Sequence, residues 1–192
     1  MQGLVNMILV MLVVSTGATL YRDCAACHGH DGGGVVDGTV PAIGGQPAIV
    51  ILRQLNAFRS SDRIDLRMQH FADEAHLEGA REVEAVAAYI ASLRRTTAVA
   101  LGDGRNLDGG ASDFARNCAG CHGARGAPNL ERGVPALAGQ HATYLARKLR
   151  EVTLADNRFG KTHAPFAARL APERLEAIAD WLARLPPPLP SP

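Results

Sequence analysis

The stretch Cys24-Ala25-Ala26-Cys27-His28 returns 94 positions later as Cys118-Ala119-Gly120-Cys121-His122. Together the two copies contain all four cysteines of the chain. The C-x-x-C-H pattern is typical of the covalent attachment of a c-type haem. Cysteines at i and i+3 lie on one face of a helical turn, where two thiols can bond the two vinyl groups of one porphyrin. The sequence therefore predicts two haem c groups, each with its iron.

The histidine that ends each motif stands one turn beyond the first cysteine, where its imidazole can reach the iron. His28 and His122 are therefore the predicted proximal ligands, one per haem. Zinc sites and thioredoxin-like redox sites also use C-x-x-C pairs. Structural zinc sites bring two pairs together across about 12–20 residues and need no histidine after each pair, so haem is the favoured cofactor.

The repetition extends beyond the two motifs. Residues 41–46 match residues 135–140 at the same offset of 94, and residues 87–93 match residues 179–185 at an offset of 92. The chain therefore divides into two similar domains. We expect an apolar leader over residues 1–18, a first domain over 19–100, a Gly-rich linker over 101–111, a second domain over 112–186 and a proline-rich tail over 187–192.

Apolar residues recur with helical spacing, and no run alternates convincingly with period two. A closing helix is predicted in each repeat from one apolar stripe, comprising Val83, Val86, Ile90 and Leu93 in the first and Leu175, Ile178, Leu182 and Leu185 in the second. A further helix is predicted at about residues 47–58 and 141–151. The fold class is therefore all-α. Each domain is small, so a covalently held porphyrin would complete its apolar core.

The apolar run over residues 7–14, followed by small residues up to Ala18, resembles an export signal, although no Lys or Arg precedes it. It is short for a membrane span, which needs about 20 apolar residues. A cleaved signal and a retained helix used as an anchor both remain open, although cleavage after Ala18 would leave the first haem-binding helix very short. Attachment of c-type haem implies a periplasmic protein, with membrane association through the N-terminal segment as an option.

The formal net charge of +1 is unevenly distributed. Residues 1–100 hold 8 basic and 10 acidic side chains, and residues 101–192 hold 12 and 9. This asymmetry favours orientation toward a charged redox protein as donor or acceptor. Because no basic stripe is interleaved with aromatic residues, the sequence argues against binding of nucleic acid.

Each iron also needs a distal ligand, unless it stays open for chemistry. Met68 is the only methionine outside the apolar leader. Aligning the Phe-Ala pairs of the two repeats puts His163 opposite Met68, so we predict His28/Met68 for haem one and His122/His163 for haem two. His70 is an alternative to Met68, and His141, a partner residue or an open iron is an alternative to His163. We expect His30 and His76 to be solvated.

Two unlike distal ligands predict two unlike potentials. Thioether sulfur favours ferrous iron and a second imidazole favours ferric iron, so haem two should have the lower potential. Electrons would then pass from the second domain to the first. Pro41 and Pro135 are predicted to orient the proximal histidines through their carbonyls, and Arg67 and Lys161 are candidates to neutralise haem propionates.

With both attachment motifs, both Pro-x-x-x-Gly-Gln loops and both closing helices, residues 19–186 resemble the cytochrome c4 family of two-domain dihaem cytochromes. The resemblance implies two class I cytochrome c folds related by a pseudo-twofold axis, which carry electrons in the bacterial periplasm and often associate with the membrane or with terminal oxidases. It also implies that His28, His122 and Met68 are iron ligands. His163 departs from the family pattern, which normally has methionine in both domains.

The leading functional hypothesis is an electron carrier without substrate chemistry, which relays single electrons between a donor and an oxidase or other acceptor. The donor or acceptor would be a dehydrogenase, a cytochrome complex or a terminal oxidase. One alternative is the electron-entry cytochrome subunit of a dehydrogenase complex. Others are a small dihaem oxidoreductase with an open haem two, and a structural subunit held in a larger complex by its termini.

Overall fold

The computed structural model describes residues 16–152 and 158–190. Its helices are α1 (residues 16–28), α2 (Ala48–Arg59), α3 (Leu66–Ala72), α4 (Ala80–Ser92), α5 (Leu107–Asn117), α6 (Ala119–His122), α7 (Ala142–Glu151), α8 (Arg158–Ala167) and α9 (Pro172–Ala183). Within the described ranges, β-structure is limited to one isolated bridge between Asn129 and Val134. The all-α prediction is confirmed.

Each half of the chain builds its own hydrophobic core. In the first half α1, α2 and α4 surround one cluster, and in the second half α5, α7 and α9 surround another. The predicted stripes are buried, because the exposed fraction of Val83, Val86, Ile90, Leu175, Ile178 and Leu182 is 4% or less. Leu93 and Leu185 follow the ends of α4 and α9 and are partly buried against the same clusters. Leu175 packs in a small third cluster with Val152 and Ala167.

The first helix of each half crosses the closing helix at a glycine. A Cβ atom at Gly17 would lie 2.2 Å from the carbonyl oxygen of Ala85, and one at Gly110 would lie 2.3 Å from that of Ala177. Such distances are too short for any side chain, so glycine is required where the two backbones touch. The crossing is therefore duplicated along with the haem motif.

An aromatic pair lies one turn further along each crossing. The rings of Tyr21 and Tyr89 are 5.4 Å apart in the first half, and those of Phe114 and Trp181 are 5.1 Å apart in the second. Both distances fall in the range of favourable tilted aromatic pairs. These contacts fix the orientation of α1 and α5 on their domains. The first cysteine motif lies on α1, and α5 leads into the second.

The structure differs from two of the expected segment ends. The residues of α1 extend back to residue 16, and Gly17 is buried, so the predicted leader overlaps the first domain. Similarly, α5 begins at Leu107, inside the predicted linker. Asp180 accepts hydrogen bonds from the backbone N–H groups of Gly102 and Gly104, at 2.8 Å each, which holds the preceding residues against α9. The apolar run over residues 7–14 lies outside the described residues.

Pro187 and Pro188, the first residues of the proline-rich tail, lie at the junction of the two halves. A Cβ atom at Gly139 would lie 2.8 Å from Cα of Pro187, and one at Gly45 would lie 3.0 Å from the carbonyl oxygen of Pro188. The tail therefore contacts both Gly-Gln loops of its own chain. Among the residues described, no helix has the length and apolar character needed to span a bilayer.

Candidate haem-binding sites

The first motif lies on the last turns of α1. Cys24, Cys27 and His28 are all helical, and the two cysteines form no disulfide. Burial raises the pKa of Cys24 to about 11, whereas Cys27 is exposed. Two cysteines on one helical face, one against the core and one toward solvent, fit the thioether attachment predicted from the spacing.

The second motif has the same chemistry on a broken helix. Cys118 separates α5 from α6, and Cys121 and His122 lie in α6. The hydrogen bonds from the N–H groups of Cys121 and His122 to the Cys118 carbonyl, at 3.1 and 3.0 Å, keep the turn compact. Burial raises the pKa of Cys118 to about 11, and Cys121 is exposed, as at the first site.

The two motif histidines are buried and oriented by proline carbonyls. Nδ1 of His28 lies 3.0 Å from the Pro41 oxygen, and Nδ1 of His122 lies 3.4 Å from the Pro135 oxygen. Because a carbonyl only accepts hydrogen bonds, each Nδ1 carries the proton and each Nε2 keeps a free lone pair. Burial lowers the pKa of His28 and lowers that of His122 to about 4, so both imidazoles are neutral and suited to bind a metal ion.

His163 lies on α8 and faces the second motif. Its ring centre is 6.2 Å from that of His122, with 41° between the ring planes. Two imidazoles that bind one metal ion from opposite sides, through bonds of about 2 Å, have ring centres about 6 Å apart. The distance between the two rings therefore fits one iron held between them.

Met68 lies on α3 and borders the core of the first half together with Cys24. The alternative ligand His70 is exposed, and its Nδ1 lies 3.8 Å from Oδ2 of Asp73. His76 was expected to be solvated, but it is half-buried with Nδ1 2.9 Å from Oδ1 of Asp73. His70, Asp73 and His76 bring potential metal-binding atoms within 4.8 Å of one another, so His70 belongs to a surface group apart from the core that Met68 contacts.

The contacts of His141 argue against its use as the alternative distal ligand. Its ring is fully buried, Nδ1 accepts a 2.9 Å hydrogen bond from the N–H of Ala100, and Nε2 lies 2.8 Å from the Gly33 oxygen. Because both ring nitrogens are occupied, neither is left for iron. His30 is exposed, as expected.

The two residues proposed to neutralise propionates lie at the surface. The Arg67 side chain is 70% exposed, and its Nε lies 4.0 Å from Asp65. Lys161 is exposed on α8. Their propionate roles stay predictions.

Residues 14–94 match the family described as Cytochrome c, and residues 105–182 match Cytochrome C oxidase, cbb3-type, subunit III. Over 171 residues the chain is 29% identical to cytochrome c4 of Pseudomonas aeruginosa. This match covers 84% of this chain and 83% of the relative. It is 30% identical over 174 residues to the thiosulfate dehydrogenase electron acceptor of Stutzerimonas stutzeri, covering 84% of this chain and 78% of the relative. The chain belongs to the cytochrome c4 family.

The crystal structure of reduced recombinant cytochrome c4 from Pseudomonas stutzeri has the same fold, with a TM-score of 0.77 and 26% sequence identity. The match covers 90% of this chain and 98% of that chain. As in the cytochrome c4 family, two cytochrome c domains carry two covalent haem c groups. The assignment of individual iron ligands stays a prediction.

Sequence reasoning missed the contacts between the two cytochrome domains. Gln46 and Gln140 stand at matching positions of the repeat, and each side chain reaches the backbone of the other domain. The signal was present in the repeated Gly-Gln pair, but a glutamine side chain gives no indication of which distant backbone group it binds.

Proposed function

We propose that this protein is a periplasmic electron carrier that relays single electrons from a His122/His163 haem in the second domain to a His28/Met68 haem in the first. The observation that carries this proposal is the 6.2 Å separation of the His122 and His163 rings. It supports two imidazole ligands at the second iron, where the resemblance alone would lead one to expect methionine.

The chain's own residues set the chemistry of each iron. The carbonyls of Pro41 and Pro135 hold the Nδ1 protons, so that each proximal Nε2 is directed away as an electron-pair donor. Met68 would offer a neutral sulfur, which favours ferrous iron, and His163 a second imidazole, which favours ferric iron. A difference of about 0.1 V would bias the electron roughly fifty-fold toward the first domain, at about 59 mV per tenfold.

The partners follow from the relatives. One relative is named as the electron acceptor of thiosulfate dehydrogenase, and the second domain matches a subunit of a cbb3-type oxidase. These names support a dehydrogenase as donor and an oxidase or other redox protein as acceptor. The relative named as an electron acceptor of thiosulfate dehydrogenase also favours a second candidate function, the electron-entry cytochrome of a dehydrogenase complex. In such a complex the lower-potential domain would face the catalytic subunit.

The ligand assignment is tested by optical spectroscopy of the oxidised holoprotein. A methionine-bound haem has a near-infrared sulfur-to-iron band, and we expect the wild type to show this band for one of its two haems. Met68→Leu should abolish the band, and His163→Met should add a second one and raise the potential of haem two toward that of haem one. His30→Met is the matched control, because His30 is exposed, and it should leave the spectrum unchanged.

Two results would overturn the assignment. The first is a wild type whose two haems contribute equally to the sulfur-to-iron band. The second is rapid binding of carbon monoxide to reduced haem two, which would indicate an open iron and favour a small dihaem oxidoreductase. Co-purification with a dehydrogenase catalytic subunit would favour the electron-entry function over a freely diffusing carrier.

A further inference from the structure

Two buried glutamines cross between the domains in a reciprocal arrangement. Gln140 accepts a hydrogen bond from the N–H of Ala42 at 2.9 Å and donates one to the Ala42 oxygen at 2.7 Å. Gln46 accepts one from the N–H of Ala136 at 3.0 Å and donates one to the Ala136 oxygen at 2.7 Å. Each glutamine of one domain thus binds both backbone groups of a single alanine in the other.

The position of these alanines gives the contacts a redox meaning. The N–H of Ala42 and the carbonyl of Pro41 belong to one peptide group, and that carbonyl lies 3.0 Å from Nδ1 of His28. The peptide group is therefore bonded at both ends, to the proximal histidine of its own domain and to Gln140 of the other. The same chain joins Gln46, through the Pro135–Ala136 peptide group, to His122.

We propose that Gln46 and Gln140 are positioning residues, each of which tunes the proximal histidine of the haem in the opposite domain. Hydrogen bonds in a chain polarise one another, so a glutamine oxygen on the peptide N–H makes the peptide carbonyl a stronger acceptor. A stronger acceptor on Nδ1–H raises the basicity of the imidazole as a ligand. Each glutamine therefore stabilises ferric iron in the other domain and lowers its potential.

The inference rests on the proposed function only in taking His28 and His122 as the proximal ligands. It does not depend on the identity of either distal ligand. The contact at His28 is shorter than that at His122, 3.0 against 3.4 Å. We therefore expect the first haem to respond more strongly to loss of Gln140 than the second responds to loss of Gln46.

The test is a redox titration of the dihaem holoprotein with each glutamine replaced by methionine, which has a similar length, accepts hydrogen bonds only weakly and donates none. Gln140→Met should shift the ferric/ferrous equilibrium of haem one toward ferrous iron by about two- to fivefold, or about 20–40 mV at about 59 mV per tenfold. Haem two should stay at its wild-type value. Gln46→Met should give the reverse pattern, with a smaller shift confined to haem two.

Thr143→Val is the matched control. Thr143 also crosses the junction, donating to the Asp37 oxygen at 2.9 Å, but it touches neither proximal peptide group, so neither potential should move. Gln140→Glu keeps an acceptor oxygen, so the potential of haem one should be at or below the wild-type value. In protein labelled with 15N-histidine, the Nδ1–H signal of His28 should move upfield in Gln140→Met, which reports a weakened hydrogen bond directly.

Separate outcomes overturn the two proposals. If Gln140→Met and Gln46→Met each move both haems alike, or if Thr143→Val gives the same shifts, the glutamines act only by holding the domains together and the inference fails. If the wild type lacks histidine-bound haem in either domain, the proposed function itself fails. If one of the two glutamine variants does not fold, the other still tests the proposal, because each variant should shift the potential of only the haem in the opposite domain.

Discussion

At the scale of single residues, Arg59 shows how a charged side chain can fix the position of a predicted ligand that it does not touch. It lies at the end of α2 and donates to the backbone carbonyls of Ala72 and Leu77, with a third contact to Asp73 at 3.3 Å. Those carbonyls belong to the end of α3 and the turn that follows. Since α3 carries Met68, Arg59 anchors the segment that would present the sulfur to the first iron.

Replacing this arginine should loosen the methionine without changing any predicted ligand. Arg59→Met leaves the buried carbonyls unpaired, at a cost of about 1–3 kcal/mol in the free energy of unfolding. We expect the sulfur-to-iron band to weaken and reduced haem one to bind carbon monoxide faster. Arg53→Met, on the same helix, removes only a surface contact to the Arg132 carbonyl and should leave both observations unchanged. Equal effects of the two variants would contradict the anchoring role.

The sequence predicted residues whose chemistry is local and could not predict those whose partners are distant. The attachment motifs follow from covalent spacing, so Cys24, Cys118 and their histidines could be proposed without a fold. By contrast, Arg59 is one of many arginines, and its function depends on three carbonyls that only tertiary packing brings together. The contacts of His141 were out of reach for the same reason, because its partners are backbone groups of Gly33 and Ala100.

At the scale of helices, the same limit explains the misplaced linker. Gly109 and Gly110 follow a stretch rich in glycine and aspartate, which favours a loop, yet both lie in α5. Glycine is retained there because the backbone of α9 passes directly against Gly110, and not because the chain must turn. The matching Gly17 on α1 was the available signal, although a single glycine beside an apolar leader does not stand out.

The close approach of α5 to α9 predicts that Gly→Ala substitutions at two glycines near the second motif change the free energy of unfolding very differently. Gly110→Ala would place a methyl group 2.3 Å from the Ala177 oxygen, so α5 must shift, and we expect a loss of about 1–3 kcal/mol in the free energy of unfolding. Gly120→Ala meets nothing within 4 Å and restores the Ala-Ala pair of the first motif. It should be neutral or stabilise by about 0.5–1 kcal/mol.

Urea unfolding of the two holoproteins, followed by far-ultraviolet circular dichroism, measures this difference. Both variants exchange a helical glycine for alanine near the second haem, so general effects on helix propensity and haem attachment cancel in the comparison. If Gly110→Ala is as stable as Gly120→Ala, the close approach of α5 to α9 is not present in solution.

At the scale of the whole molecule, three buried neutral side chains bind backbone across the junction of the domains. Gln46, Gln140 and His141 are each 7% exposed or less, and each binds peptide groups of the other domain. Such contacts fix register between domains better than surface ion pairs, which contribute little and weaken in salt. The opposite charge balance of the two halves is then left to orient the molecule toward its partners.

This arrangement makes cohesion of the domains depend on pH through His141. Burial lowers the pKa of its imidazole below the unfolded value of about 6.5, and the nearby Arg95 acts in the same direction. The neutral ring accepts from Ala100 and donates to Gly33, whereas a protonated Nδ1 cannot accept. The stabilisation is therefore complete above about pH 6.5 and is lost as the pH falls through the lowered pKa.

Calorimetry of the holoprotein at about pH 7.5 and about pH 5 tests this dependence. The wild type should unfold in one cooperative transition at the higher pH and in a broader or divided one at the lower pH. His141→Phe keeps the volume of the ring but neither bond, so it should divide the transition at both pH values, while Thr143→Val should behave as the wild type. Because acid also loosens haem ligation, the decisive quantity is the difference in unfolding temperature between wild type and His141→Phe at each pH. If that difference does not shrink as the pH falls, His141 is not the titrating link between the domains.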